Sequence, residues 1–430
     1  MGELWGAVIA IKAGSIIDPA KGLQFDAHTI VIRDGIIESI VKHADVPHGV
    51  SVIDLSHSTL LPGLIDCHTH LVGDAGDLDP HMILSKSTAQ VAYESLPNAR
   101  KTLEAGFTTV RDVGTYRALT DLALRDAISR GHVKGPRMFV AGAYLTTSGG
   151  AGALTGLAPD VVLPQNLRFG IADGVNEVRK VVRTLANYGV DFIKILASGA
   201  VLTHGSRPTS EEFSFEELKA AVDEARRHGL KVAAHAHSAQ GIKNAVLAGA
   251  VSIEHGSMLD DEGMTLMKEK GTFLVADIYN DDYISGNHGE MPKEFVQKEK
   301  SLGMIQRNNF AKAVKRGVRI AFGTDAGAFP HGDNAKQFGY MVDYGMTPMQ
   351  AIQSATVWAA ELLGKEDSLG SLAPGKIADI IATPENPLTN IKTLENVTFV
   401  MKEGVVYLHR TRKGQDPATK PVYQILSVEM

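Results

Sequence analysis

Short apolar runs broken by turn signals occupy the first 60 residues: Val8-Ile9-Ala10-Ile11, Ser15-Ile16-Ile17, Thr29-Ile30-Val31-Ile32, then Asp34-Gly35 and Ile36-Ile37. An Asp-Gly pair between apolar runs predicts a β-hairpin. The same texture returns near the C-terminus in Ala378-Asp379-Ile380-Ile381-Ala382, Val397-Thr398-Phe399-Val400-Met401, Glu403-Gly404 and Val405-Val406-Tyr407. Neither end carries enough strands to bury a sheet alone, so residues 1–59 and 370–430 are expected to combine into one small β-sandwich.

Between the ends the pattern changes to apolar strands alternating with helical stretches, the signature of parallel βα units and of the α/β class. Eight candidate strands fall near 60–67, 107–112, 137–142, 190–197, 230–236, 251–255, 272–277 and 318–324. Eight is the number that closes a (β/α)8 TIM barrel, here expected over residues 60–369. Phe215 to His228 carries Leu218, Ala221, Val222 and Ala225 at helical spacing, with Gly229 placed to end that helix. Two connections are longer than usual, 143 to about 173 and 279 to about 296. Both follow barrel strands, so they are expected to rise over the catalytic face as substrate walls or lids.

Composition narrows the function without naming it. With 430 residues, 44% hydrophobic, 21% charged and a net charge of -6, the chain reads as an ordinary globular protein and not as a nucleic-acid binder. The basic cluster His409-Arg410-Thr411-Arg412-Lys413 reads as a solvated tail. Leu4 to Ile11 is too short and lacks the flanks of a signal peptide, and reads as a first strand. No apolar run reaches the roughly 18 residues a transmembrane helix needs, so no membrane partner is expected. Cys67 is the single cysteine; it excludes an intramolecular disulfide and fits a cytoplasmic location. Alternation turns Cys67 away from the face of its two histidine neighbours, so packing is expected of it and not nucleophilic chemistry.

The chemistry begins at His68-Thr69-His70, which follows the buried-strand pattern Leu60-Leu61-Pro62-Gly63-Leu64-Ile65. Period-two alternation places both imidazoles on one side, the interior of a barrel, where they can start a transition-metal site. Lys194 lies in Phe192-Ile193-Lys194-Ile195-Leu196, His235 in Val232-Ala233-Ala234-His235, His255 in Ser252-Ile253-Glu254-His255, and Asp325 in Phe322-Gly323-Thr324-Asp325. Each falls within or just past a predicted strand, and barrels gather their chemistry at the C-terminal strand ends. An ammonium, several imidazoles and a carboxylate converging in an apolar mouth need something to neutralise them, and a pair of metal ions does so.

The order Pro-Gly-Leu-Ile-Asp-x-His-x-His, a lysine strand, two histidine strands and Gly-Thr-Asp, followed by Gly370-Ser371-Leu372-Ala373-Pro374-Gly375-Lys376, resembles the metal-dependent amidohydrolase superfamily over nearly the whole chain. That resemblance implies two divalent ions, with zinc the default and cobalt, manganese or iron as alternatives for the same donors. His68, His70 and Asp325 would hold one metal and His235 and His255 the other, with Lys194, carboxylated by carbon dioxide, as the bridge. A hydroxide bridging the metals would attack an amide carbonyl, with Asp325 as general base and then acid. Mononuclear deaminases of the same superfamily carry a glutamate three residues after the fifth-strand histidine; here that position is Ser238, which favours amide hydrolysis. Cyclic-amide hydrolysis of the hydantoinase or imidazolonepropionase kind remains the alternative, and a non-catalytic scaffold is disfavoured because the ligand set is complete.

Within the superfamily the surroundings of Lys194, His235 and His255 are most similar to Xaa-Pro and Xaa-Arg dipeptidases and ochratoxin-hydrolysing amidases. The substrate implied is a small dipeptide or N-acyl amino acid, cleaved at the amide to a C-terminal amino acid by a homo-oligomer. His237 is then placed to bind the substrate carboxylate, and Tyr144, Arg207 and Tyr279 are further candidate substrate contacts. One departure stands out: several members of the resembled subgroup carry Gly-Gly-His-Gly in the loop after the third strand, whereas this chain reads Gly149-Gly150-Ala151-Gly152.

Overall fold

The structure, a computed structural model, describes residues 8–43, 49–73, 80–286 and 291–410. Strands from both chain ends hydrogen-bond into one sheet in the order Val405–His409, Phe399–Lys402, Ile380–Thr383, Ser51–Pro62, Val8–Asp18, His28–Arg33 and Ile36–Lys42, with Leu23–Asp26 also paired to Val8–Asp18. The seam between the ends is the antiparallel pairing of Ser51–Pro62 with Ile380–Thr383, in which Leu61 faces Ile381. Two-residue turns set the outer hairpins: Asp34 and Gly35, and Glu403 and Gly404, all have positive φ, the backbone such a turn requires. The two turns pack tip to tip, and a Cβ on Gly35 would lie 2.7 Å from the Glu403 carbonyl oxygen. Beneath them Ile11, Ile16, Ile30, Ile32, Leu60, Ile380, Phe399 and Met401 form a common apolar cluster.

Leu60–Pro62, expected to open the first inner strand, belong instead to this end sheet, and the inner strand runs Leu64–Thr69. Gly63 makes the break. Its amide donates to the Asp379 carbonyl at 2.8 Å, and a Cβ there would lie 2.2 Å from Thr108 Oγ1. Gly63→Ala is therefore expected to destabilise the fold by about 1–3 kcal/mol through overpacking. Chemical denaturation checks this; an unchanged midpoint would mean that Thr108 yields freely.

The inner strands are parallel. Leu64–Thr69, Phe107–Asp112 and Arg137–Val140 form one sheet, and Tyr144–Leu145, Phe192–Leu196, Lys231–Ala236, Ser252–His255 and Phe273–Val275 form another. The eighth candidate, 318–324, is not an extended strand. It makes a single bridge from Ile320 to Leu274 and accepts the Cys67 amide on the Phe322 carbonyl at 2.8 Å, so it links the two sheets at one gap. At the other gap Asp191 bonds Val140 twice, backbone to backbone and carboxylate to backbone, each at 2.9 Å.

The covering helices start and stop as their sequences require. Ser214 caps Phe215–Arg227 through a reciprocal box with Glu217, Gly229 has φ +71° just past its end, and Leu218, Ala221, Val222 and Ala225 are its buried face. Among the described residues, no helix is long and apolar enough to cross a membrane. Thr411, Arg412 and Lys413 of the basic cluster lie outside the described residues.

Candidate metal centre

The inner strands deliver their polar residues to one cavity, walled by His68, His70, Lys194, His235, His237, His255 and Asp325. His68 sits near the end of Leu64–Thr69 and His70 just beyond it; Lys194 is central in Phe192–Leu196, and His255 closes Ser252–His255. Ring centroids of His68 and His255 are 4.9 Å apart, those of His235 and His255 4.5 Å, and those of His235 and His237 4.7 Å. Asp325 Oδ1 lies 3.4 Å from His68 Nε2 and 3.2 Å from His70 Nε2. All six expected ligands thus meet at one place.

The far side of each imidazole is anchored. His68 Nδ1 is 2.9 Å from Glu254 Oε2, His70 Nδ1 is 2.8 Å from the Gly114 carbonyl oxygen, and His255 Nδ1 is 3.0 Å from Asp277 Oδ1. An acceptor on Nδ1 fixes the proton there and leaves Nε2 as a lone-pair donor, the usual support of a metal-binding histidine. His237 Nδ1 lies 2.8 Å from Ser257 Oγ, and His235 Nε2 lies 3.2 Å from the Gly199 carbonyl. One ligand atom each from His68, His255 and Asp325, and one each from His235, His237 and His255, fall within 4.8 Å of one another. The donor set therefore fits divalent metal, but His255 belongs to both groups and His237 joins one of them, a different grouping from the expected pairing.

Electrostatics favour the same use. Burial, reinforced by the neighbouring imidazoles, lowers His235 well below its ordinary value, and burial brings His237 down to about 3. Neutral imidazoles are the metal-binding form. Burial lowers the Lys194 amine to about 8 against the pull of Glu254 and Asp325. Asp325 is held well below the carboxylate range: burial opposes this, but His68 and His70 outweigh it. The Glu254 carboxylate, which burial would raise, is likewise held low by Arg111 and His68. The backbone at His255 (φ 67°) and Asp325 (φ 58°) is left-handed, which non-glycine residues adopt at a cost of about 1–3 kcal/mol each.

Of the four candidate substrate contacts, His237 and Tyr144 line the cavity, and the Tyr144 hydroxyl lies 3.1 Å from His70 Nδ1. Arg207 is exposed and is not part of the wall. Tyr279 packs edge-on against Phe329 behind the wall, and the next residue, Asn280, takes the lining position. From the long connections, Ala151 and Gly152 on one side and Asn280 and Ile284 on the other reach the cavity; residues 287–290 of the second connection lie outside the described residues. Cys67 is fully buried, and burial pushes its thiol up to about 12, as packing requires.

Sequence reasoning missed Glu254, Arg111 and Asp277. Their signal was charge inside apolar strands: Arg111 interrupts Phe107–Asp112 and Glu254 interrupts Ser252–His255. Such residues are almost never buried unless paired.

The amidohydrolase family profile matches residues 59–407. An ochratoxinase from Aspergillus niger is 35% identical over 424 residues, covering 93% of this chain and 86% of that protein. Among solved structures, a Xaa-Pro dipeptidase with methionine bound in its active site is 39% identical with a TM-score of 0.87, covering 94% of this chain and all of that one. A prolidase complexed with N-methylphosphonate-L-proline is 30% identical with a TM-score of 0.87 over the same shares.

Proposed function

Because the chain belongs to the amidohydrolase family and is a hydrolase of amide bonds, we propose that it cleaves the amide between an acyl group and a C-terminal amino acid with two divalent metals. The parallel strands and the 318–324 segment would form one (β/α)8 barrel beginning at Leu64 and running to residue 369, with the end sheet, Leu60–Pro62 included, as a separate domain. The observation that carries the reading is the anchoring of His68, His70 and His255 through Nδ1 while Asp325 faces Nε2 of the first two. His68, His70 and Asp325 would hold one ion, His235 and His255 the other, and carboxylated Lys194 would bridge them; zinc suits these donors. When bound, such ions activate water at neutral pH and polarise the substrate carbonyl.

The remaining work falls to side chains. Asp325 accepts the proton of the attacking water and returns it to the leaving nitrogen. Its position for both transfers is fixed from three sides, by His68, by His70 and by the Asn280 amide 3.4 Å from Oδ2. His237, held at Nδ1 by Ser257, presents its other nitrogen to the substrate carboxylate. Burial first, then neighbouring Tyr116 and Asp112, raise Tyr144 well above the ordinary tyrosine value, so it stays a hydroxyl donor beside the scissile group.

Zinc-loaded protein is expected to release free amino acid from at least one member of a panel of Xaa-Pro, Xaa-Arg and Xaa-Phe dipeptides and N-acyl amino acids. Chelation should abolish this and zinc restore it, with elemental analysis giving two metals per chain. Hydrolysis of none of the panel, alongside turnover of a cyclic amide or an aminopurine, would overturn the substrate reading.

A further inference from the structure

Behind Tyr116 and Tyr144 lies a second cavity that the hydrolysis mechanism does not use. Its wall shares those two residues, His70, Leu202 and Thr203 with the metal cavity, and the two tyrosine rings meet edge to face with centroids 5.3 Å apart. The two spaces thus adjoin along an aromatic partition. His237, assigned above to the carboxylate of the amino-acid end, stands in the first wall and not in the second, so the second space lies toward the acyl side of the scissile bond. Val72, Ile83, Val91 and Leu154 make much of its lining apolar.

One charged group in that lining has no counterpart. Arg117 is 8% exposed, and both of its hydrogen bonds among the described residues leave from Nη2, to the Ile83 carbonyl at 2.6 Å and to the Lys86 carbonyl. Its Nε is buried with no acceptor. Burial lowers Arg117 from its ordinary value, and no carboxylate acts to restore it. Arg111 and Arg307 are buried too, yet each holds a carboxylate, Glu254 and Asp281 respectively. The remaining charged groups around the second cavity are matched: Lys86 by Glu94 at 3.0 Å, and His204 by Glu294 at 3.3 Å. A guanidinium cannot shed its proton, so this one stays charged out of water with carbonyl dipoles as its sole compensation.

Resting on the amide-hydrolase reading, we propose that the second cavity receives the acyl end of the substrate and that Arg117 binds a carboxylate carried there, so that the enzyme prefers amides in which one end of a dicarboxylic acid is joined to the amino acid. A guanidinium with spare donors and a carboxylate, which only accepts, form the strong class of charge-assisted hydrogen bond. The methylene chain between the two ends of such an acid matches the apolar lining. An acyl group of equal length ending in a methyl would leave the guanidinium buried and unpaired.

The test pairs diacids with monoacids of equal chain length: succinate with butyrate, glutarate with pentanoate and adipate with hexanoate. Calorimetry on zinc-loaded protein should show, at the length that reaches across the partition, the diacid binding about tenfold tighter than the monoacid, the scale of a charge-assisted hydrogen bond. Arg117→Gln keeps an amide donor for the Ile83 and Lys86 carbonyls but removes the charge, and should bring that pair within about twofold. Arg117→Lys should keep part of the preference. In kinetics with N-acyl amino acids built from the same pairs, the change should appear in KM and not in kcat. Equal binding of every pair by the wild-type protein would overturn the proposal, as would a Gln variant weakened equally toward both members of a pair, the mark of an arginine that merely braces the Pro80–Ser85 helix. Free diacid that binds without competing with the N-acyl substrate would also overturn it, in favour of a separate anion as the occupant. A diacid preference lost in Arg117→Gln, in a protein that hydrolyses none of the N-acyl amino acids, would instead overturn the hydrolysis reading and leave the carboxylate site standing.

Discussion

Lys194→Ala protein is expected to lose on the order of a thousandfold in kcat/KM, about 4 kcal/mol of transition-state stabilisation. The Lys194 side chain is 2% exposed and lies in the middle of the Phe192–Leu196 strand, aimed into a cavity walled by imidazoles and Asp325. On the reading proposed above, attack of its neutral amine on carbon dioxide, with loss of one proton, would yield a carbamate able to offer one oxygen to each metal. Alanine leaves both without that ligand and leaves a space the length of the lysine chain. A short carboxylic acid such as formate or propionate should enter it and restore part of the activity. Metal content should fall in the variant and recover with the acid. Wild-type activity in Lys194→Ala, with or without added acid, would refute the bridging role.

The largest expected effect on stability belongs to a residue that touches no substrate. Arg111 lies under the cavity and donates to the Cys67 carbonyl at 2.6 Å, to Ser252 Oγ at 3.0 Å and to Glu254 Oε1 at 2.7 Å. Glu254 in turn is fully buried and holds His68 Nδ1 at 2.9 Å. Arg111→Met keeps much of the volume but strands a buried carboxylate, which typically costs about 3–5 kcal/mol. Urea denaturation of the metal-free protein should show the loss. The double variant Arg111→Met with Glu254→Gln should regain part of it, because the uncompensated charge is then gone. Equal stability of the single variant and the wild type would mean that Glu254 finds another cation or takes up a proton without penalty.

These two residues mark the boundary of what the linear pattern discloses. Lys194, His68, His70, His235, His255 and Asp325 were readable because each sits within or just past an apolar run of the inner βα pattern, and a single rule, the C-terminal mouth of parallel strands, aims them at one point. Arg207 and Tyr279 were not, because they sit in connections, where side-chain direction depends on the tertiary path of the loop. The Asp34-Gly35 and Glu403-Gly404 turns were readable from chemistry alone, but the switch at Gly63 was not: it depends on Thr108, distant in sequence, crowding that backbone. Glu254 was hidden for another reason. Strict alternation points Glu254 and His255 to opposite faces, yet both reach His68, and the left-handed backbone of His255 is where the alternation ends.

That backbone, and its counterpart at Asp325, set selection for folding against selection for chemistry at two positions. Glycine adopts such φ values without strain, so a chain under pressure only to fold would gain by drifting toward glycine at 255 and 325. A histidine and an aspartate standing there mean that the sequence gives up some stability at two positions of the cavity wall in return for an imidazole and a carboxylate held where no relaxed backbone would place them.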